Sequence, residues 1–131
     1  MLKKLVPCVL GVLFVLSLLS PAVLAKRWIL LGTAHVDKSE DHKTIHVGNE
    51  AGQLKQIQVR VTDGAIDLQR LVVHFANGTQ EELAVADRIR SGGKTHDIDL
   101  PGERRGIESV ELWFSKEYAD TRPEVSVYGS R

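Results

Sequence analysis

Cysteine is almost missing from these 131 residues, and the one copy, Cys8, sits inside an apolar run. No intramolecular disulfide can form, so the fold must rest on packing. An excess of either charge is also missing, with 17 Lys and Arg set against 17 Asp and Glu. Such a balance offers no field to recruit nucleic acid or an anionic membrane. Aromatic residues are 5% of the chain. Trp28, Trp113, Tyr118 and Tyr128 are the candidates for a sugar-stacking platform, but a set this small is also what a core needs. No window carries apolar residues at helical spacing, no repeat or linker divides the chain, and no Gly-x-Ser-x-Gly elbow marks a serine nucleophile. What remains is a small all-β domain.

The amino terminus reads as an export signal. Lys3 and Lys4 precede an apolar run from Leu5 to Leu19, Ser20-Pro21 breaks it, and Val23-Leu24-Ala25 offers the small and apolar residues that a signal peptidase reads. Cleavage is expected after Ala25, leaving residues 26–131 as a single domain. The competing reading is an uncleaved anchor, because Leu5 to Ala25 carries no charge and is long enough to span a bilayer. Pro7 within the run and Lys26-Arg27 just beyond it count against the anchor. Loss of Lys3 and Lys4 leaves the remaining chain slightly acidic, and Cys8 lies too far from the cleavage point to carry a lipid. The expected product is periplasmic or secreted, with no stable membrane insertion after cleavage and no nucleic-acid partner.

The cleanest strand signal runs from Leu54 to Ala76. Ile57, Val59 and Val61 alternate with Gln56, Gln58, Arg60 and Thr62, which puts one face in a core and the other in water. Asp63-Gly64 tolerates the positive φ of a tight turn, and this predicts a hairpin. Beyond it, Ile66 and Leu68 share one parity and Leu71, Val73 and Phe75 the other, so a bulge near Gln69 and Arg70 is needed to turn both sets inward. Asn77-Gly78 marks another tight turn before Glu82 to Ala86, where Leu83 and Val85 point inward. Shorter strands are expected at Trp28 to Leu31, ended by Gly32, and at Thr44 to Val47, Thr95 to Leu100, Ile107 to Phe114 and Val125 to Tyr128. About eight strands with such spacing predict an antiparallel β-sandwich of jelly-roll type. Its core should unite Ile57, Val59, Val61, Leu71, Val73, Phe75, Leu83, Val85, Ile98, Leu100, Val110, Leu112 and Phe114 between two sheets.

WILLG at 28–32, KQIQVRV at 55–61, IESVELWF at 107–114 and VSVYG at 125–129 together resemble a family of small exported bacterial β-sandwich proteins of unknown function. The resemblance covers nearly all of residues 26–131. It implies an envelope or secreted location and a sandwich fold, and it brings no catalytic residue with it. More loosely, the Arg105-x-Ile107-x-x-Val110 pattern followed by the terminal VSVYG strand is similar in strand grammar to discoidin-like and carbohydrate-binding jelly rolls.

Three groups of residues could carry chemistry. His35, Asp37, His42 and His46 lie close together in sequence, and imidazole with carboxylate suits zinc, copper or nickel. Their spacing matches no closed metal site, and residues 33–43 also read as a long solvated loop. Arg88, Arg90, Arg104 and Arg105, with Lys94, flank two turns; guanidinium forks there can hold a carboxylate, a phosphate or a sulfated sugar. The interleaved acids offer cross-strand ion pairs as the other use. Asp97 and Asp99 share a strand face about 7 Å apart, a scale suited to glycoside hydrolysis, although acids alternate this way on ordinary exposed strands. His74 should face outward, and Arg105 can pair internally. The reading these residues support is a non-catalytic exported binding or interaction module of the bacterial envelope, working without a cofactor. A small periplasmic hydrolase, or a metal-binding protein using residues 35–46, is the competing reading.

Overall fold

Strands that alternate apolar and polar residues have one dry face and one wet face, and two sheets of them are stable when the dry faces meet. A computed structural model of the chain describes residues 27–37, 40–116 and 121–131. The expected signal segment, its cleavage point and Tyr118 lie outside the described residues. Ten strands occur among the described residues: β1 (Ile29–His35), β2 (His42–His46), β3 (Gln53–Leu54), β4 (Gln56–Thr62), β5 (Ile66–Phe75), β6 (Gln80–Leu83), β7 (Asp87–Ile89), β8 (Ile98–Asp99), β9 (Arg105–Lys116) and β10 (Glu124–Ser130). One sheet has four strands in the order β1-β10-β4-β8. The other has six, with β2-β9-β5-β6 side by side, β3 also on β9 and β7 also on β5. Every pairing is antiparallel. The chain crosses between the sheets repeatedly, as in a jelly-roll sandwich.

One apolar cluster fills the space between the sheets, and every expected core residue from Ile57 to Phe114 is buried in it. Leu54, Ile66, Leu68, Val125 and Val127 join them. The bulge in β5 lies where the parity change requires it. Its register against β9 shifts between Leu68 and Arg70, so Leu68 and Leu71 are both fully buried while Gln69 and Arg70 face water.

The hairpin expected at Asp63-Gly64 is absent, because β4 pairs with β10 and β8 while β5 pairs with β9, β6 and β7. The turn joins opposite sheets and arches over the end of the core. Its backbone still needs what the sequence offers, with Asp63 at φ 60° and Gly64 at φ 145°. Alternation is the same whether two strands lie side by side or face each other across a core, since both arrangements bury the same parity. The corner is packed tightly: a Cβ on Gly64 would lie 2.9 Å from Pro123 Cγ. Asn77-Gly78, by contrast, is a hairpin turn, with β5 and β6 paired from Leu71 opposite Leu83 to His74 opposite Gln80. Asn77 Oδ1 accepts from Thr79 N at 3.1 Å and from Thr79 Oγ1 at 2.7 Å.

Other boundaries also differ from expectation. Gly32 does not end β1, which continues to His35 after a register shift between Leu30 and Gly32. The polar connection that follows is shorter than residues 33–43. Val36 anchors it, fully buried and donating its N–H to Pro123 O at 2.9 Å. β3 and β7 are too short for any alternation to register in the sequence. The strand expected from Thr95 to Leu100 is regular only at Ile98–Asp99. It meets β4 at Lys94 opposite Arg60 and again at Ile98 opposite Ile57, with an extra residue on its own side that breaks the ladder.

Candidate functional site

The outer face of the four-stranded sheet carries the polar parity of β4 and β10: Gln58, Arg60 and Thr62 beside Tyr128, Ser126 and Glu124. One row crosses the sheet from edge to edge as Thr33, Ser126, Arg60 and Lys94. The segment after Ser91 closes one side of this row by bonding along β4. Gly92 N donates to Val61 O at 2.7 Å, Val61 N to Gly93 O at 3.1 Å and Thr95 N to Val59 O at 2.9 Å. Thr95 is buried, and its hydroxyl accepts from Val59 N at 3.1 Å. Gly92 reaches its place with φ +83°, in the left-handed region that favours glycine. A depression of about 430 Å³ results, lined by Arg60, Thr62, Lys94, Glu124, Ser126, Tyr128 and the Gly92-Gly93 backbone.

Arg60 is held in this depression by a chain of contacts. Its guanidinium carbon lies 3.9 Å from the centre of the Tyr128 ring, a cation–π stack. Its Nε donates to Gln58 Oε1 at 2.8 Å, and Gln58 Nε2 donates to Asp97 Oδ1 at 3.1 Å. Gln58 is only 1% exposed although it stands on the outward parity, so the network is roofed by the neighbouring segment. The two terminal nitrogens of Arg60 have no hydrogen-bond partner among the described residues, and neither does Lys94 Nζ. On the opposite wall Glu124 pairs with His35 Nε2 at 3.1 Å, and the Ser126 and Thr33 hydroxyls share a hydrogen bond of 3.0 Å. Leu30, opposite Tyr128 in the register, is 54% exposed. The arrangement places two cations, several hydroxyls and one acid around an open hollow. It suits the binding of a polyhydroxylated anion.

The residues singled out in the sequence fall elsewhere. Arg88 stands opposite Asp67 near the start of β5, whereas Ala76, just after its end, donates to Gly106 O at 2.9 Å. Arg88 and Arg90 are therefore separated from Arg104 and Arg105 by the length of β5, about 30 Å. The structure does not bring the four arginines together. Arg105 is engaged internally, with its guanidinium 3.6 Å from the Phe75 ring centre and hydrogen bonds to Thr79 Oγ1 at 2.7 Å and Pro101 O at 3.4 Å. Asp97 accepts from Gln58, and Asp99 accepts from Gln56 Nε2 at 2.6 Å.

The four suggested metal ligands are also dispersed. His35 is on β1 with Glu124, Asp37 pairs with Arg122 at 2.8 Å, and His46 is exposed opposite Ser109. His42 stands on β2 in the other sheet. Among the described residues no group of three or more His, Cys, Asp or Glu stands close enough to hold a metal ion.

His42 belongs instead to a cluster on the outer face of the six-stranded sheet that sequence reasoning missed. Its Nε2 donates to Glu111 Oε2 at 3.0 Å, and His74 Nε2 donates to the other oxygen, Oε1. The His42 ring stacks on Trp113 at 4.4 Å, and Arg70, itself paired with Glu82, lies 4.6 Å from the Trp113 ring centre on the adjacent strand. Burial alone would raise the Glu111 carboxyl, but the hydrogen bonds from His74 and His42, with their charges, outweigh it and hold the group below its usual 4.5. Only the strand register reveals this cluster, since His42 and Glu111 are 69 positions apart.

A protein-family comparison matches residues 8–129 to the domain of unknown function DUF2541. No curated protein matches the chain in sequence. Among solved structures it is similar to one described as "Structural and functional characterization of Pseudomonas aeruginosa AlgX", with 14% identity and a TM-score of 0.50. That likeness covers 77% of this chain and 26% of the other, so the chain spans about a quarter of that protein's length and shares a fold with that part of it. Since the family comparison spans nearly its whole length, this chain belongs to the family of the domain of unknown function DUF2541.

Proposed function

We propose that this chain is a non-catalytic binding module, exported to the periplasm or beyond the bacterial cell, that holds an acidic carbohydrate in the depression between Arg60 and Lys94. The observation that carries this reading is the supply of two cations to one hollow with their binding nitrogens unspent. Arg60 is oriented through its Nε and its ring-facing surface, and its two terminal nitrogens remain for a ligand. A guanidinium oriented this way receives a carboxylate or sulfate in two-point fashion, and the lysine adds a point charge. Thr62 and Ser126 offer hydroxyls that both donate and accept, which suits the hydroxyls of a sugar ring. Tyr128 carries Arg60 on its face, so the ligand is recognised by charge more than by stacking. One acid, Glu124, lines the hollow and is engaged by His35. A glycosidase needs two carboxylates at the scissile bond, and Glu124 is the one acid among the described residues that line this hollow. Export rests on the composition of residues 1–25.

Titration calorimetry with carboxylated, sulfated and neutral oligosaccharides tests the reading. Acidic ligands should bind and weaken with added salt, and Arg60→Ala or Lys94→Ala should each weaken binding by about tenfold or more. Equal affinity for neutral sugars, or acidic-sugar binding retained in the double variant, would overturn it. Intact mass of the protein recovered outside the cytoplasm should begin at Lys26.

A further inference from the structure

A second pair of cations stands at one end of the sandwich, about 16 Å along β4 from Arg60. Here β3 leaves the six-stranded sheet and the chain crosses at Lys55 to begin β4 in the other. Lys55 is fixed by its backbone on both sides, donating its N–H to Ser130 O at 2.8 Å and accepting from Leu100 N at 2.9 Å. Arg104 immediately precedes β9, whose first residue, Arg105, is locked onto Phe75, Thr79 and Pro101. Both cations therefore project from anchored backbone. The Lys55 ammonium, the Arg104 guanidinium and the Gln53 amide have no partner among the described residues.

Two depressions meet at these residues. One, of about 450 Å³, is lined by Gln53, Lys55, Gly102, Glu103 and Arg104. The other, of about 290 Å³, shares Gln53 and Arg104 and continues along Phe75, Ala76 and Asn77. A two-lobed hollow with an arginine fork at its waist, a lysine in one lobe and a neutral amide donor between them matches a small multivalent anion carried on a larger molecule.

We infer that the hollow around Gln53, Lys55 and Arg104 is a second ligand site, which takes the phosphate or sulfate group of a ligand separate from the one held at Arg60. Arg105 orders the loop and leaves Arg104 to make the contact. Glu103 faces the same hollow and opposes an anion there, so its removal strengthens the site. Because this site shares no residue with the Arg60 hollow, the two stand or fall independently.

Inorganic phosphate, titrated calorimetrically into the protein as its host processes it, is the test, with chloride at matched ionic strength as reference. Saturable binding above the chloride reference, weakened about tenfold or more by Arg104→Ala and by Lys55→Ala and unchanged by Arg60→Ala, is the expected result. Glu103→Gln should tighten binding by about two- to fivefold, a change that a merely structural role for the loop would not produce. Circular dichroism checks that the exposed substitutions leave the fold intact. Vesicles with phosphatidylglycerol, set against phosphatidylcholine alone, identify the source of the group. Binding lost in Arg104→Ala assigns it to a lipid headgroup, and phosphate binding without vesicle binding assigns it to a soluble ligand. No saturable phosphate binding, or binding that persists undiminished in the Arg104→Ala, Lys55→Ala double variant, would overturn the inference.

Discussion

Replacing Gln58 by Ala tests whether the proposed binding hollow is organised from beneath. The Gln58 amide is 1% exposed and makes two hydrogen bonds, accepting from Arg60 Nε at 2.8 Å and donating to Asp97 at 3.1 Å. Both partners carry charge in their ordinary states, and hydrogen bonds to charged groups contribute roughly 1.5 to 3 kcal/mol each. Asp97 is exposed and can turn to water, so most of its share is recovered. Arg60 is half-buried against Tyr128 and recovers less. The net cost should be about 2 kcal/mol, a fall in thermal midpoint of roughly 8 to 16 °C for a domain of this size. Affinity for an acidic ligand should fall as well, because the guanidinium loses its fixed orientation. Denaturant melts of Gln58→Ala, Arg60→Ala and the double variant measure the coupling between them, expected at about 1 kcal/mol. A loss of stability under 0.5 kcal/mol together with wild-type ligand affinity would show that the network does not position Arg60.

Leu112→Ala should cost about 2 to 4 kcal/mol through lost burial and a residual cavity, because Leu112 is fully buried between the sheets; an unchanged thermal midpoint would place it outside the core. The Glu111 cluster predicts a pH effect. The folded-state carboxyl titrates below its usual 4.5, so its stabilisation is present above that value and is lost as pH falls through the lowered one. The stability gap between the wild-type protein and Glu111→Gln should therefore be full above 4.5 and close as the pH falls below it, and a gap that stays constant as the pH falls would contradict the assignment. Chelated protein titrated with zinc and then copper should give no saturable site of micromolar or tighter affinity. Such a site, if abolished by His35→Ala with His42→Ala, would move this protein to the metal-binding class.

The inward faces were legible in the sequence because period-2 alternation is written residue by residue. Ile57, Val59, Val61, Leu71, Val73 and Phe75 are all buried as their parity requires, and the phase change between Leu68 and Leu71 located the bulge. The sheet to which each strand belongs was not legible. Asp63-Gly64 carries the local chemistry of a hairpin turn, yet the partner of β4 is β10, more than 60 positions away at Val61 opposite Val125. Alternation does not encode such a choice. The hollow at Arg60 depends on the same long-range pairing: Arg60 reads as one polar position among several until Lys94, Ser126 and Tyr128 are set around it. Arg104 was legible as a candidate, but Lys55, which lines the same hollow, was not, since the crossover that fixes Lys55 is a tertiary event. Clusters of like residues in sequence proved a poor guide in this sandwich, because neighbouring segments go to opposite sheets, as His35 and His42 do.

The central claim is that acidic sugars bind in the hollow between Arg60, Lys94 and Ser126, and amide chemical-shift mapping of the isotope-labelled protein with a carboxylated oligosaccharide tests it most directly. The expected result is saturable shifts confined to Thr62, the Gly92-Gly93-Lys94 segment, Ser126 and Tyr128, absent with the neutral counterpart and absent in Arg60→Ala. Shifts centred on the outer face of the six-stranded sheet around Glu111 and Trp113, or no saturable shift at all, would contradict it.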